Sequence, residues 1–97
     1  MIREKDGRLH IDGPVTLENA MTLRNQSEQY FDRPQLLFDF SEVREIDSAA
    51  VSLMLEWLRK GRATGCEVRF ANLGESITSL TDLYGVEDLI PVDRPLV

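Results

Sequence analysis

The stretch FDFSEVREIDSAAVSLMLEWLRKGRATG, residues 38–65, decides how this chain folds. Its first letters complete a short, nearly continuous apolar run, QLLFDF (residues 35–40), which is typical of a β-strand covered on at least one face. A long helical pattern begins near Ser48 and ends at Gly65, a residue that can take the left-handed conformation found after many helices. The stretch therefore predicts a strand, an acid-containing loop and a long helix that starts at Ser48.

The predicted long helix carries more apolar surface than one packing face needs. At ~100° per residue, four apolar residues form a face wide enough to cover a sheet: Val51, Met54, Leu55 and Leu58. Leu53 and Trp57, with Ala50 beside them, extend the apolar arc to roughly 200°. Either a neighbouring helix covers this extra arc, or the arc docks a partner, since Trp and Leu beside a polar stripe resemble the centre of an interface. The polar stripe consists of Ser48, Ser52, Glu56, Arg59 and Lys60.

Ser48 itself has two interpretations. As part of a helix cap, either its hydroxyl or the Asp47 carboxylate accepts hydrogen bonds from the free amides of the first turn. As a regulatory site, a phosphate on Ser48 would face the same amides and the positive end of the helix dipole, although Asp47 would oppose the added charge. The local physical chemistry favours the cap.

The segments before this stretch predict a hairpin and a helix. Asp6-Gly7 between two short segments predicts a tight antiparallel turn, because glycine tolerates a positive φ. A first helix is expected over residues 16–31, with Thr16 as its N-cap. Its broad buried face is predicted to comprise Leu17, Ala20, Leu23, Ser27, Tyr30 and Phe31.

The segments after Gly65 add a strand and a third helix. CEVRFAN (66–72) alternates as a strand, GESITSLTDLYG (74–85) has helical spacing, and one further helical turn is expected through Leu89 and Ile90 before Pro91. Helical crossovers between strands imply parallel pairing. The order predicts an α/β fold: a four-stranded mixed sheet with an N-terminal hairpin and helices packed on it, in a single domain over residues 1–97.

Composition restricts the class of function. The 97 residues contain 42% hydrophobic residues, enough for one core, and 17 acids against 11 bases give a net charge of -6. This charge disfavours binding to nucleic acid or to anionic membrane surfaces. No apolar run approaches the ~20 residues of a membrane span, and the first residues lack the apolar core of a signal peptide, so a cytoplasmic protein without membrane insertion is expected.

The chain also lacks a recognisable catalytic or metal-binding set of residues. Cys66 is the single cysteine and His10 the single histidine, so Cys66 is interpreted as a small core residue and His10 as a solvated strand residue. No glycine-rich phosphate loop or GxSxG elbow surrounds Ser48. We therefore expect no enzyme, metal or cofactor, and keep open a ligand-binding or catalytic domain with an unrecognised site.

Four segments together resemble a STAS domain. They are LLFDFSEVREID, IDSAAVSLMLEWL with a hydroxyl directly after the acid, GCEVRFAN, and LTDLYGVEDLI. The resemblance extends from about Leu9 to Ile90 and is most specific in the I-D-S-A element. It implies a protein-binding module whose contact residues are Asp47, Ser48, Ala49, Ser52, Leu53, Glu56 and Trp57.

Two branches of that family imply different partners. In one, the small STAS subunit of an Mla-type ABC transporter binds the cytoplasmic ATPase and supports phospholipid transport that maintains outer-membrane lipid asymmetry. In the other, an anti-sigma-factor antagonist is phosphorylated on the serine by the anti-sigma-factor kinase that it binds. Antagonists usually read D-S-S-G, whereas Ala49 and Ala50 follow Ser48 here. The resemblance therefore favours a transporter subunit at the inner membrane, with the antagonist as the alternative.

Overall fold

The computed structural model describes residues 1–92, which form one four-stranded sheet with helices packed on it. The strands are β1 (Ile2–Lys5), β2 (Arg8–Asp12), β3 (Gln35–Glu42) and β4 (Glu67–Ala71). The helices are α1 (Ala20–Ser27), α2 (Ser48–Thr64) and α3 (Gly74–Leu83), with single 3-10 turns at Glu28–Tyr30 and Glu87–Leu89. The strand order in the sheet is β1-β2-β3-β4.

Strand pairing follows from the connections. The β1–β2 pair is antiparallel because Asp6 and Gly7 join it in a tight turn, and both residues have a positive φ, 56° and 76°. The β2–β3 and β3–β4 pairs are parallel, with helices in their connections. The predicted mixed sheet with an N-terminal hairpin is therefore confirmed.

The core lies between the helices and the apolar face of strands β2, β3 and β4. Alternation along these strands places seven buried apolar side chains on that face: Leu9, Ile11, Leu36, Phe38, Phe40, Val68 and Phe70. The opposite face carries mostly polar residues, including Arg8, His10 and Arg69. One-sided packing explains why β2 and β4 alternate cleanly in sequence.

Trp57 belongs to the core. Its ring stacks on Phe38 with the centroids 3.9 Å apart and the planes 11° apart, and its indole N–H donates to Ser27 Oγ at 2.8 Å. Trp57 is 1% exposed and Leu53 5%, so the predicted exposed apolar arc through these two residues is wrong. The sheet and the neighbouring α1 cover it, as in the first of the two interpretations.

The buried face of α2 matches the expected one only in part. Its buried residues are Ala50, Val51, Leu53, Met54, Trp57 and Gly61, so Val51 and Met54 are buried as expected. Leu55 and Leu58, which were expected to face the sheet, are only half-buried. Gly61 permits a close approach to β4, because a Cβ there would lie 2.5 Å from the Cys66 carbonyl oxygen and 2.6 Å from Val68 Cγ2.

Helix α1 is shorter at both ends than predicted, since it spans Ala20–Ser27 and the sequence predicted residues 16–31. The helix begins at Ala20 after Asn19, and Thr16 instead forms a turn in which its N–H donates to Asn19 Oδ1 at 2.8 Å. The predicted N-cap at Thr16 is therefore wrong, and Leu17 lies outside the helix with 78% of its surface exposed. The predicted bounds of α2 are confirmed, since it begins at Ser48 and Gly65 takes the left-handed conformation with φ 76°.

Candidate functional site

Asp47 caps α2 and holds a distant segment beside it. Its Oδ1 accepts a hydrogen bond from the Ala49 N–H at 2.8 Å, and its Oδ2 accepts one from the Leu17 N–H at 3.0 Å. Next to this contact, the Val15 N–H donates to the Glu45 carbonyl at 2.8 Å. Of the two possible caps, Asp47 is therefore the one used, and the same carboxylate also holds the segment before α1 beside the start of α2.

Ser48 is exposed at the first position of α2, and three grooves meet at this residue. The first groove lies between loop 43–47 and the first turns of α3, the second between α1 and α2, and the third between α2 and residues 84–86. Within residues 1–92 the Ser48 hydroxyl makes no hydrogen bond to another protein group. The N-cap of α2 is Asp47, whose carboxylate accepts the hydrogen bond from the Ala49 N–H. We call Ser48 and the walls of these three grooves the Ser48 surface.

The second groove is the most apolar part of the Ser48 surface. Leu17 and Met21 stand on its α1 side, 78% and 67% exposed, opposite Ala49 and Ser52 of α2. Two large exposed apolar side chains beside polar ones are typical of a protein contact surface. Arg24 and Glu56 close the groove at the far end, with Nη2 and Oε1 3.9 Å apart.

The other two grooves have a different character. Acids outnumber bases in the lining of the first groove, which contains Glu45, Asp47 and Glu75 against Arg44. The third groove is lined by Leu55, Val86 and the half-exposed ring of Tyr84. A partner that covers Ser48 would therefore contact apolar side chains in the second and third grooves and acidic side chains in the first groove.

The structure brings five of the seven predicted contact residues together and buries the other two. Five of the seven lie on the Ser48 surface with accessible side chains: Asp47, Ser48, Ala49, Ser52 and Glu56. Leu53 lines the second groove but is almost fully buried, and Trp57 is in the core, so neither offers the exposed contact that was predicted. The sequence reasoning missed Leu17 and Met21; the usable signal was that Met21 is a large apolar residue outside the predicted buried face of the first helix.

Asp39 is a buried carboxylate in β3 and is 3% exposed. Burial raises the pKa of this group, but hydrogen bonds from Ser41, Asn72 and Arg8 outweigh burial and lower the pKa to about 2. The sequence pattern placed Asp39 inside an apolar strand without a role. Two of the three partners, Asn72 and Arg8, are 33 and 31 residues away along the chain, so no local pattern could have identified them.

Cys66 and His10 lie away from the Ser48 surface. Burial raises the pKa of the Cys66 thiol, which is consistent with its interpretation as a core residue. His10 is more buried than expected for a solvated strand residue, with Nδ1 3.9 Å from Glu42 Oε2. Within residues 1–92 no group of three His, Cys, Asp or Glu side chains could hold a metal ion.

The sheet topology and the exposed hydroxyl at the start of α2 are those expected of a STAS domain. The family model described as Mlab, STAS domain matches residues 2–91, so this chain belongs to that family. Domains of this class are generally non-catalytic modules that bind other proteins. No curated protein matches the chain in sequence.

Solved structures of anti-sigma factor antagonists share the fold. SpoIIAA in its unphosphorylated form matches with a TM-score of 0.73 and 12% identity, covering 97% of this chain and 87% of that chain. The phosphorylated form of SpoIIAA, a Bacillus cell fate determinant, matches with a TM-score of 0.68 and 12% identity, over 97% and 90% of the two chains. An antagonist from Mycobacterium paratuberculosis matches with a TM-score of 0.74 and 21% identity, over 99% and 85%. At these identities the comparisons show a shared fold.

One further property concerns membranes. Within residues 1–92, none of the helices combines the length and the apolar character that a bilayer crossing requires.

Proposed function

We propose that this protein is a non-catalytic accessory subunit that docks through the Ser48 surface onto the cytoplasmic ATPase of a phospholipid ABC transporter. The family description, Mlab, STAS domain, supports this partner over others. In this role the chain is cytoplasmic and reaches the inner membrane only through the transporter. Its contribution is to bind and support the ATPase that drives transport for outer-membrane lipid asymmetry.

One observation carries the proposal: the exposed Ser48 hydroxyl, which does not cap the helix, lies in the same groove as the exposed apolar side chains of Leu17 and Met21. Leu17 and Met21 lose no packing within the chain if a partner covers them, because they are already outside the core. Burial of such side chains in an interface removes apolar surface from water, which favours the complex. Ser48 and Ser52 are both exposed, and their short side chains would let a partner approach closely.

The test is co-purification of this chain with its transporter ATPase, followed by affinity measurements on variants. The Ser48→Arg variant and the Leu17→Ser/Met21→Ser double variant should each bind at least about tenfold more weakly, because one adds bulk at the contact and the other removes apolar anchors. Leu83→Ser is the matched control, since Leu83 is 75% exposed but lines none of the three grooves. All variants should melt within a few degrees of the wild type. Normal affinity in both test variants, with normal folding, would remove the Ser48 surface as the docking site.

A second candidate is an anti-sigma-factor antagonist that is switched by phosphorylation of Ser48. The exposed position of Ser48 at a helix start favours it, as does the fold shared with solved antagonists. Against it, Ala50 occupies the second position after Ser48 and is fully buried, where antagonists of the D-S-S-G pattern have a glycine. Incubation with the anti-sigma-factor kinase and ATP should phosphorylate Ser48 under this alternative, as mass spectrometry would detect. The transporter proposal expects an unmodified Ser48.

A further inference from the structure

Asp39 is bonded to Ser41 and Asn72, which stand shortly before the two segments that line the first groove. Its Oδ1 accepts a hydrogen bond from the Ser41 N–H at 2.8 Å, and both of its carboxylate oxygens lie 3.2 Å from the Asn72 side-chain amide nitrogen. A third partner, Arg8 Nη1, lies 3.0 Å from Oδ2. The buried carboxylate thus holds three separate segments of the chain.

Two of those segments lead directly to the Ser48 surface. Ser41 stands near the end of β3, immediately before the turn into loop 43–47, and this loop ends at Ser48. Asn72 follows β4 and has a φ of 56°, a left-handed conformation that turns the chain towards Gly74, the first residue of α3. One side chain therefore ties together the starts of the two segments that form the groove walls.

The third segment leads elsewhere. Arg8 belongs to β2, which lines none of the three grooves, and its side chain is partly exposed on the polar face of the sheet. Asp39 consequently has two kinds of partner: Ser41 and Asn72, which precede the segments that line the first groove, and Arg8, which links β2 to β3. This division separates a role in the binding surface from a role in the stability of the sheet.

We propose that Asp39 is the positioning residue of the Ser48 surface: through Ser41 and Asn72 it sets the spacing between loop 43–47 and the start of α3. The proposal rests on the docking function proposed above, because spacing matters only if a partner contacts both walls. Asp39 acts without touching the partner, since it is 3% exposed and lines none of the three grooves.

Two variants remove one partner each from the same carboxylate. Asn72→Gly removes the side-chain amide but keeps a residue that tolerates the positive φ, so backbone strain does not confuse the result. Arg8→Gln is the matched control, because it removes the cation without altering either groove wall. Asn72→Gly should weaken ATPase binding about tenfold, and Arg8→Gln less than about twofold, even where both lower the melting temperature.

A second measurement follows the geometry without a partner. In two-dimensional NMR spectra, Asn72→Gly should shift the backbone amide signals of Ser48, Glu75 and Ser76, whereas Arg8→Gln should leave them in place. The double variant Asp39→Asn/Asn72→Asp exchanges the two side chains, so that an amide donor again faces a carboxylate between positions 39 and 72. It should recover most of the affinity that Asp39→Asn alone loses, which a general loss of stability would not allow.

The outcomes separate this inference from the docking function. If the wild-type chain does not bind the ATPase, the proposed function fails, and the NMR pattern alone then decides whether Asp39 positions the walls. If Asn72→Gly leaves the Ser48, Glu75 and Ser76 signals unchanged, the positioning role is overturned. The role is also overturned if Asn72→Gly and Arg8→Gln weaken binding equally, because the carboxylate would then serve only the stability of the sheet.

Discussion

Met21 and Trp57 stand on neighbouring helices and have opposite surroundings. Trp57 is the largest apolar side chain of the predicted docking arc, and it is 1% exposed. Met21 was not assigned to the predicted packing face of the first helix, and it is 67% exposed. The difference lies in what packs against each: Phe38 and Ser27 enclose the indole, and only the open second groove faces Met21. The width of an apolar arc on one helix therefore does not show which edge of it is exposed.

The largest expected effect is on Trp57. Trp57→Ala should lower the free energy of unfolding by about 3–5 kcal/mol, because it removes the stacked ring and leaves a cavity beside Phe38. Met21→Ala, the exposed counterpart, should change it by less than about 0.5 kcal/mol. Urea denaturation of the two variants provides the comparison. A Trp57→Ala protein as stable as the wild type would place the indole outside the core.

The close approach of α2 to β4 should produce the next effect. Gly61→Ala adds a methyl group that would lie 2.5 Å from the Cys66 carbonyl oxygen, so the helix must move away from the strand. We expect a loss of about 2–3 kcal/mol in unfolding free energy, despite the higher helix propensity of alanine. Ala63→Gly, at an exposed position of the same helix, serves as a propensity control and should cost about 1 kcal/mol. A Gly61→Ala variant more stable than the wild type would contradict the close contact.

The buried carboxylate predicts a dependence of stability on acid pH. The pKa of Asp39 is about 2 in the folded chain, below the ordinary value of 3.8, so its charged form stabilises the fold. This stabilisation, about 2 kcal/mol, is complete above the unfolded-state pKa and is lost as the pH falls from about 4 towards 2. Denaturation at a series of acid pH values should show the slope, and Asp39→Asn should reduce it. An unchanged slope in Asp39→Asn would mean that other carboxyl groups account for it.

The smallest effects distinguish Asp47 from Ser48 at the start of α2. Asp47→Ala should cost about 1 kcal/mol of unfolding free energy, because the Ala49 and Leu17 amides both lose their acceptor. Ser48→Ala should cost less than about 0.5 kcal/mol, since its hydroxyl is not the cap. Thermal melts of the two variants provide the test. Equal losses would show that the serine shares the capping role.

Much of the fold could be predicted because its signals are local. The Asp6-Gly7 turn, the alternation in β4 and the Gly65 stop all depend on residues that are adjacent in sequence. The start of α1 was missed because Thr16 forms a turn with Asn19, and the Leu17 amide, which lies before the helix, donates to the Asp47 carboxylate 30 residues away. Helix ends are decided by whichever partner satisfies their amides, and a distant partner leaves no pattern nearby.

The sequence by itself determined the order of elements, the mixed sheet and the position of Ser48 at the start of the long helix, because backbone propensity and apolar periodicity act over a few residues. Only the tertiary structure decided which side chains around Ser48 are exposed. The packing of α1 against α2 buries Trp57 and leaves Leu17 and Met21 open. The contact of Asp39 with Asn72 joins two strand ends that only the folded sheet brings together. Such contacts depend on how whole elements pack in three dimensions, which periodicity along one segment does not specify.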